Sequence, residues 1–382
     1  MAEARNRTTS ADVARRAGVS RTTVSLVLND TPGASISEAT RQRVLRAAAD
    51  LNYHPNAAAR SLVRRQTRTM GLVLCQTPER VFADAFLPQA IHGVGQVARE
   101  HDFRVLLEYV EDVTRPDAYV ELVRGRHIDG IILSGPRSDD AQLPRLHAEG
   151  FPVVLLGQLP ETPTPFVDVD NVDGAYRATE HLLKLGHRRV GLITNAPLAY
   201  TASEQRRAGY QQALETHGIP YEPALVRYGD FREESGYTAM TSLLEGTLPD
   251  AMFVASDLVA FGALEAIKVR GLRVPDDIAL VGFDDVPVAR YVNPPLTTIR
   301  LPAHQLGAEA ARLVLRLIAG EDPEEREILL QTTLVVRDSC GAGASWQTGE
   351  SVVTTSVVSQ AAEACPEPTR RAAATNAVQT GP

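Results

Sequence analysis

Cysteine, tryptophan and aromatic residues are scarce in this 382-residue chain, with three Cys, one Trp and 5% Phe, Trp and Tyr together. Cys75, Cys340 and Cys365 stand at unrelated spacings and build neither a disulfide framework nor a zinc or redox cluster; a reducing cytoplasm is the simplest compartment. No run reaches the roughly 18–20 apolar residues that span a bilayer. The N-terminus is polar and basic, without the apolar stretch of a secretory signal, so a cytoplasmic, nucleoid-associated protein is expected. Walker, H-E-x-x-H and G-x-S-x-G patterns are missing, and the nine His show no metal-ligand spacing. No catalytic residue, cofactor or metal is therefore expected. Asp168-x-Asp170 and Asp284-Asp285 are acidic pairs too isolated to argue for a cation. Gly93-Val94-Gly95-Gln96-Val97-Ala98 spells a dinucleotide-binding G-x-G-x-x-A, but that motif follows its strand directly. Here a loop of about a dozen residues intervenes, and the segment reads as helix packing.

Lysine is absent from residues 1–68, which hold 12 Arg against 5 acids, a charge of +7. The whole chain carries −8, which leaves −15 for the remainder. A basic head on an acidic body points to a polyanionic partner for the head alone. Arg donates bidentately to phosphates and base edges, so its exclusive use favours nucleic acid over a merely solvated face.

What the head does contain is a compact helical pattern. Thr9-x-x-Asp12 resembles a capping box, followed by Val13, Ala14 and Ala17 at helical spacing. Gly18 ends this helix in a positive-φ conformation, Val19 plugs the junction, and Ser20 caps a second helix. Val24, Val27 and Leu28 form its buried stripe, while Arg21, Thr22 and Ser25 point outward. This is helix-turn-helix spacing. Ser37 caps a third helix with Val44, Leu45, Ala48 and Leu51 on its apolar face.

From Thr69 the pattern alternates between strands and helices. Strands are expected at Met70–Leu74, Arg104–Tyr109, Gly130–Leu133, Val153–Leu156 and Phe166–Val169, then at Arg189–Ile193, Leu225–Tyr228, Ala251–Ala255 and Ala279–Phe283. Helical patterns between them include Gln89–His101, Asp117–Gly125, Ala141–Gly150, Val172–Leu185, Gln205–His217, Glu234–Leu244 and Leu258–Gly271. Such alternation means parallel sheets with right-handed crossovers, here two α/β lobes with a cleft between them. Ligands bind beyond the carboxyl ends of such strands. Gln158, Asp257 and Asp284 fall there, and Arg206 follows a loop after Arg189–Ile193; carboxylates and guanidinium groups suit hydroxyl-rich ligands. Residues 341–382 show no periodicity and are expected to form a disordered tail.

The patterns Asp12-Val13-Ala14-x-x-Ala17-Gly18-Val19-Ser20-x-x-Thr23-Val24-Ser25-x-Val27-x-Asn29 and Asn52-Tyr53-x-Pro55-Asn56-x-x-Ala59-Arg60-Ser61-Leu62 resemble the LacI/GalR family of bacterial regulators. The likeness extends from residue 9 to about 340. It implies a helix-turn-helix domain at 1–55, a hinge helix and linker at 56–68, and a two-lobed, periplasmic-binding-protein-like effector and dimerisation domain at 69–340. The chain would cross between lobes near 170, 295 and 326, with a helix at Pro302–Ala319 in the first lobe and Leu329–Arg337 completing the second. It further implies that Arg21, Thr22 and Leu26 read bases, and that Leu62 wedges a central base step with Arg60 against the minor groove. Thr9, Ser20, Thr23, Ser25, Asn29, Asn56 and Ala59 complete the expected DNA-contacting set. A hinge of about seven residues holds no helix alone in water, which fits a segment that folds on DNA. At the cleft the resemblance matches Arg206, Asp257 and Asp284 and suggests stacking by Phe86 or Phe82. Some members carry Asp after the Val153–Leu156 strand where this chain has Gly157-Gln158. No leucine heptads follow residue 340, so a homodimer is expected.

The leading expectation is a dimeric repressor on a pseudo-palindromic double-stranded operator, released by a sugar or sugar-derived effector between the lobes. The alternatives are a corepressor-dependent repressor or a solute-binding protein feeding a transporter. The basic head disfavours the transporter reading. An enzyme on the same sheets is disfavoured by the missing catalytic constellation.

Overall fold

The computed structural model describes residues 8–29, 34–53, 66–78, 81, 86–110, 112–113, 115, 120–125, 127–140 and 142–342. The hinge expected over 57–63, with Asn56, Ala59, Arg60 and Leu62, lies outside the described residues, as do Phe82 and the tail from 343.

The head is three helices, α1 (Ser10–Ala17), α2 (Arg21–Leu28) and α3 (Glu38–Asp50). The Asp12 carboxylate accepts from the Thr9 amide at 2.9 Å and from its hydroxyl at 2.7 Å. Gly18 takes φ +66°, ψ 41°, letting the Val19 amide reach the Ala14 carbonyl at 3.1 Å. Ser20 Oγ accepts from the Thr23 amide at 3.0 Å and so caps α2. The core is small: Val13, Ala14, Ala17, Val24, Val27, Val44, Ala47 and Ala48. Leu45, expected inside, is 41% exposed. On α3 the inward row is Val44, Ala47, Ala48 and Leu51, and Leu45 lies one helical step, about 100°, off it.

Two six-stranded sheets form the body. The first has the order β11-β5-β4-β3-β1-β2, with β1 at Thr69–Leu74, β2 at Arg104–Tyr109, β3 at Gly130–Ser134, β4 at Val153–Leu156, β5 at Phe166–Val169 and β11 at Glu327–Leu330. All its pairs are parallel. The second has the order β12-β10-β9-β8-β6-β7, with β6 at Val190–Ile193, β7 at Val226–Arg227, β8 at Ala251–Val254, β9 at Ala279–Asp284, β10 at Thr297–Arg300 and β12 at Thr333–Val335. Only β12 runs antiparallel in it, against β10. Strands such as Val153–Leu156 and Ala251–Val254 are buried at every position, as expected when helices cover both sheet faces.

Helices α4 (Phe86–Glu100), α5 (Val120–Arg124) and α6 (Leu143–Ala148) belong to the first lobe; α7 (Asn171–Lys184), α8 (Thr201–Thr216), α9 (Glu233–Glu245) and α10 (Asp257–Val269) belong to the second. Helix α11 (Ala303–Ile318) returns to the first, packing on α4. That contact explains Gly93: a Cβ there would lie 2.0 Å from the His304 carbonyl oxygen, and one on Gly307 would lie 2.1 Å from that of Ala90. The G-x-G-x-x-A sequence is a helix-crossing notch.

Three differences from the expected chain path have a common cause. Thr297–Arg300 is a second-lobe strand, so the chain passes to the first lobe after 300 rather than near 295. Leu329–Arg337 is not one strand: Glu327–Leu330 pairs with β5 and Thr333–Val335 with β10, so the last passage falls at 331–332 rather than 326. Alternation along a strand is local, and does not show that Gln331-Thr332 steps from one sheet to the other.

Candidate DNA-reading helix and interlobe cavity

On the head, Arg21, Thr22 and Ser25 are exposed and share one side of α2, while Leu26 is half-buried. Other expected DNA contacts also have structural duties. Thr9 is tied to Asp12, the Ser20 and Thr23 hydroxyls meet at 2.9 Å, and Asn29 Nδ2 donates to Ser25 Oγ at 3.1 Å. The first bond fixes the start of α1 and the other two fix the two ends of α2, whose first turn shows Arg and hydroxyl groups to solvent, as a major-groove reader requires.

The body's cavity lies between the lobes and holds about 840 Å³ of empty space, part of it open to solvent. Its walls are the carboxyl ends of strands from both sheets. Gln76 follows β1, Ser134–Pro136 end β3, Asp168 ends β5, Asn195 follows β6, Ser256 follows β8, and Asp284 ends β9. Phe86, Tyr200 and Phe231 supply aromatic surface. Phe86, Arg206 and Asp284, three of the five expected ligand residues, line this wall.

Arg206 is buried (7% exposed) and fixed on every side. Its Nε donates to Asn171 Oδ1 at 2.9 Å and its Nη1 to the Ala255 carbonyl at 2.7 Å. Asp284 Oδ1 lies 3.8 Å from Nη1, and the guanidinium carbon sits 3.8 Å over the Phe283 ring. Asp168 accepts from Asn171 Nδ2 at 3.0 Å and Gln158 Nε2 at 3.3 Å. Burial pushes its carboxyl up to about 6, against the Val169 amide, the Arg206 charge and the Gln158 and Asn171 amides.

Two expected ligand residues are not on the wall. Asp257 is fully buried behind it, accepting from Thr298 Oγ1 at 2.6 Å and the Val286 amide at 2.9 Å. Burial first, then the neighbouring Asp284 charge, raise its carboxyl well above the usual range. One oxygen braces the turn after β9, where Asp284 and Asp285 adopt φ +122° and +56°, and the other holds β10 through Thr298. Asp285 points away to Arg300 (2.7 Å) and Arg337 (2.5 Å). Burial works to raise its carboxyl, but those two arginines hold it below its usual value. Asp257 is thus a positioning residue for Asp284. Gln158 is half-buried beside the wall, accepting from Gln205 Nε2 at 3.2 Å and so linking the lobes.

A second link closes the rim. Tyr200, at the start of α8, donates its hydroxyl to the Cys75 carbonyl at 2.8 Å, with the Arg137 guanidinium 4.8 Å over its ring and Phe231 edge-on at 4.9 Å. The Ser138 amide donates to the Ala199 carbonyl at 2.8 Å, and the Thr201 amide to Pro136 at 3.3 Å. Sequence reasoning missed Gln76, Asn171, Asn195, Tyr200 and Phe231. Gln76 and Asn195 carried a usable signal, each standing two residues past a strand's carboxyl end.

Comparison with known proteins places both halves. Residues 9–56 match the bacterial regulatory proteins of the lacI family, and residues 179–340 match the periplasmic binding protein-like domain. The HTH-type transcriptional regulator CelR of Thermobifida fusca is 39% identical over 341 residues, 88% of this chain and 99% of that protein. DegA of Bacillus subtilis is 34% identical over 87% and 98% of the two chains. Among solved structures, a lac repressor dimer bound to operator and an anti-inducer is similar with a TM-score of 0.78 and 32% identity, over 88% and 99% of the chains. A CelR–cellobiose complex is similar with a TM-score of 0.67 and 38% identity, over 87% and 100%. The chain belongs to the lacI family of bacterial regulatory proteins. It is a DNA-binding transcriptional regulator, a helix-turn-helix reader joined to a two-lobed binding core. Among its described residues no helix is long and apolar enough to cross a membrane.

Proposed function

We propose that the protein is a dimeric repressor released from its operator by a sugar or sugar-derived effector bound between the lobes. The observation that carries this is the cavity wall, where Asp168, Asp284 and Arg206 stand beside Phe86, Tyr200 and Phe231. Planar groups that take paired hydrogen bonds, next to aromatic faces, suit the hydroxyl edges and apolar faces of a pyranose. The likeness to the cellobiose complex of CelR supports the same reading.

In this reading two heads bind half-sites of a pseudo-palindrome, with Arg21, Thr22 and Leu26 at base edges. Arg60 and Leu62 of the hinge occupy the minor groove between them, with Asn56 and Ala59 beside them. An effector that favours one lobe angle shifts the population toward it, and the hinges follow. A gel shift with DNA upstream of the chain's own gene tests this. Binding at low salt that cellobiose or another sugar reverses is expected; no binding at any salt refutes it.

A further inference from the structure

The cavity also restricts which sugars fit. Among the described residues its charged wall groups are Asp168, Asp284 and Arg206, two carboxylates against one guanidinium. The Arg206 charge is already engaged by Asp284, by the Ala255 carbonyl and by the Phe283 face. Asp257 adds a third carboxyl behind Asp284.

Three described helix starts near the cavity, a usual seat for an anion, already carry an acid or a bonded amide. Asp170 caps α7 by accepting from the Asp173 amide at 2.8 Å, the Thr201 amide of α8 bonds Pro136, and α10 opens on Asp257 itself.

What the wall lacks is a donor for Gln76. That side chain is 7% exposed, lines the cavity, and its amide Oε1 has no hydrogen-bond partner. A buried acceptor without a partner is costly, and a ligand hydroxyl placed there removes the cost.

We infer that the effector is an uncharged, hydroxyl-rich glycoside that donates a hydroxyl to Gln76 Oε1, and that this cavity rejects phosphorylated sugars and other anions. This rests on the sugar-effector reading above. A phosphate here would face two carboxylates, and among the described wall residues the one guanidinium is already engaged, whereas the hydroxyls of a neutral sugar have Asp168, Asp284 and Gln76 Oε1 as acceptors.

The test uses the full-length protein, with thermal shift and calorimetry against glucose, cellobiose and maltose, each paired with its 6-phosphate. At least one neutral sugar is expected to bind, and its phosphate about a hundredfold or more weaker. A phosphate that binds as tightly as its parent overturns the inference and leaves the sugar-responsive repressor standing. A panel in which nothing binds counts against the sugar reading and removes this inference with it.

Two variants separate the contributions. Gln76→Leu should weaken the neutral sugar about tenfold while raising the melting temperature of the free protein, since it deletes an unpaired buried acceptor. Unchanged affinity removes Gln76 from the site. Asp168→Asn should narrow the gap between neutral and phosphorylated sugar about tenfold, by taking away one of the two carboxylates; an unchanged gap refutes the electrostatic basis.

Discussion

In the head, Ser20, Arg21, Thr22 and Ser25 fall within six consecutive residues of one helix start, whereas in the cavity Gln76, Asp168, Arg206 and Asp284 arrive from four separate elements. The head holds its polar groups by local bonds, such as Ser20 to Thr23 and Asn29 to Ser25. The cavity holds its groups by bonds across the fold, such as Arg206 to Ala255 and Asp257 to Thr298. The two regions should therefore fail differently: the head as a unit, the cavity one partner at a time.

The largest effect should come from Val24→Asp. Val24 is 1% exposed in a core of eight small apolar side chains, and an unpaired buried charge costs several kcal/mol, enough to unfold so small a domain. Operator binding should vanish in a gel shift while sugar-induced thermal stabilisation of the body persists. Joint loss of both would erase the distinction between the regions.

Asp284→Ala should abolish the response at sugar concentrations that release wild type and keep operator binding, removing about 1–3 kcal/mol of sugar affinity by calorimetry. An unchanged response would take Asp284 out of the site. Arg21→Ala should relax base preference at one position of each half-site by about 1–3 kcal/mol, read by competition among operator variants. A uniform loss with a reduced salt slope would instead mark a phosphate contact.

The smallest effect concerns pH. Because burial raises the Asp168 carboxyl from its ordinary 3.8 to about 6, its ionised form is the disfavoured one in the fold. Its contribution to stability is present below pH 3.8 and is lost as pH rises through about 6. Sugar hydroxyls donate to the ionised form, so affinity should run the opposite way, rising severalfold between pH 5.5 and 7.5. A flat profile in wild type would show that the ligand does not engage Asp168.

The contrast between regions also explains what the sequence made legible. The head's caps, turn glycine and outward face are short-range features, and only the inward placement of Leu45 failed. The strands read well because their apolar runs are continuous, as in Val153–Leu156. The passages between lobes did not, since Thr297–Arg300 and Gln331-Thr332 take their places from partners far along the chain. At the cavity, Asp257 and Asp284 look alike in sequence, each an acid where a strand ends. Burial under Gly282, where a Cβ would lie 2.3 Å from Asp257 Oδ1, makes the first a support and leaves the second on the wall. Tyr200 carries no local mark of a role, because it acquires one from the opposite lobe through the Cys75 carbonyl.

The most direct test of the account is operator binding followed by fluorescence anisotropy while a neutral sugar from the binding panel is titrated in. Tight binding without sugar and release over the same concentrations that saturate the cavity are expected, with Asp284→Ala binding DNA and not releasing over that range. Release of Asp284→Ala at wild-type sugar concentrations would contradict it.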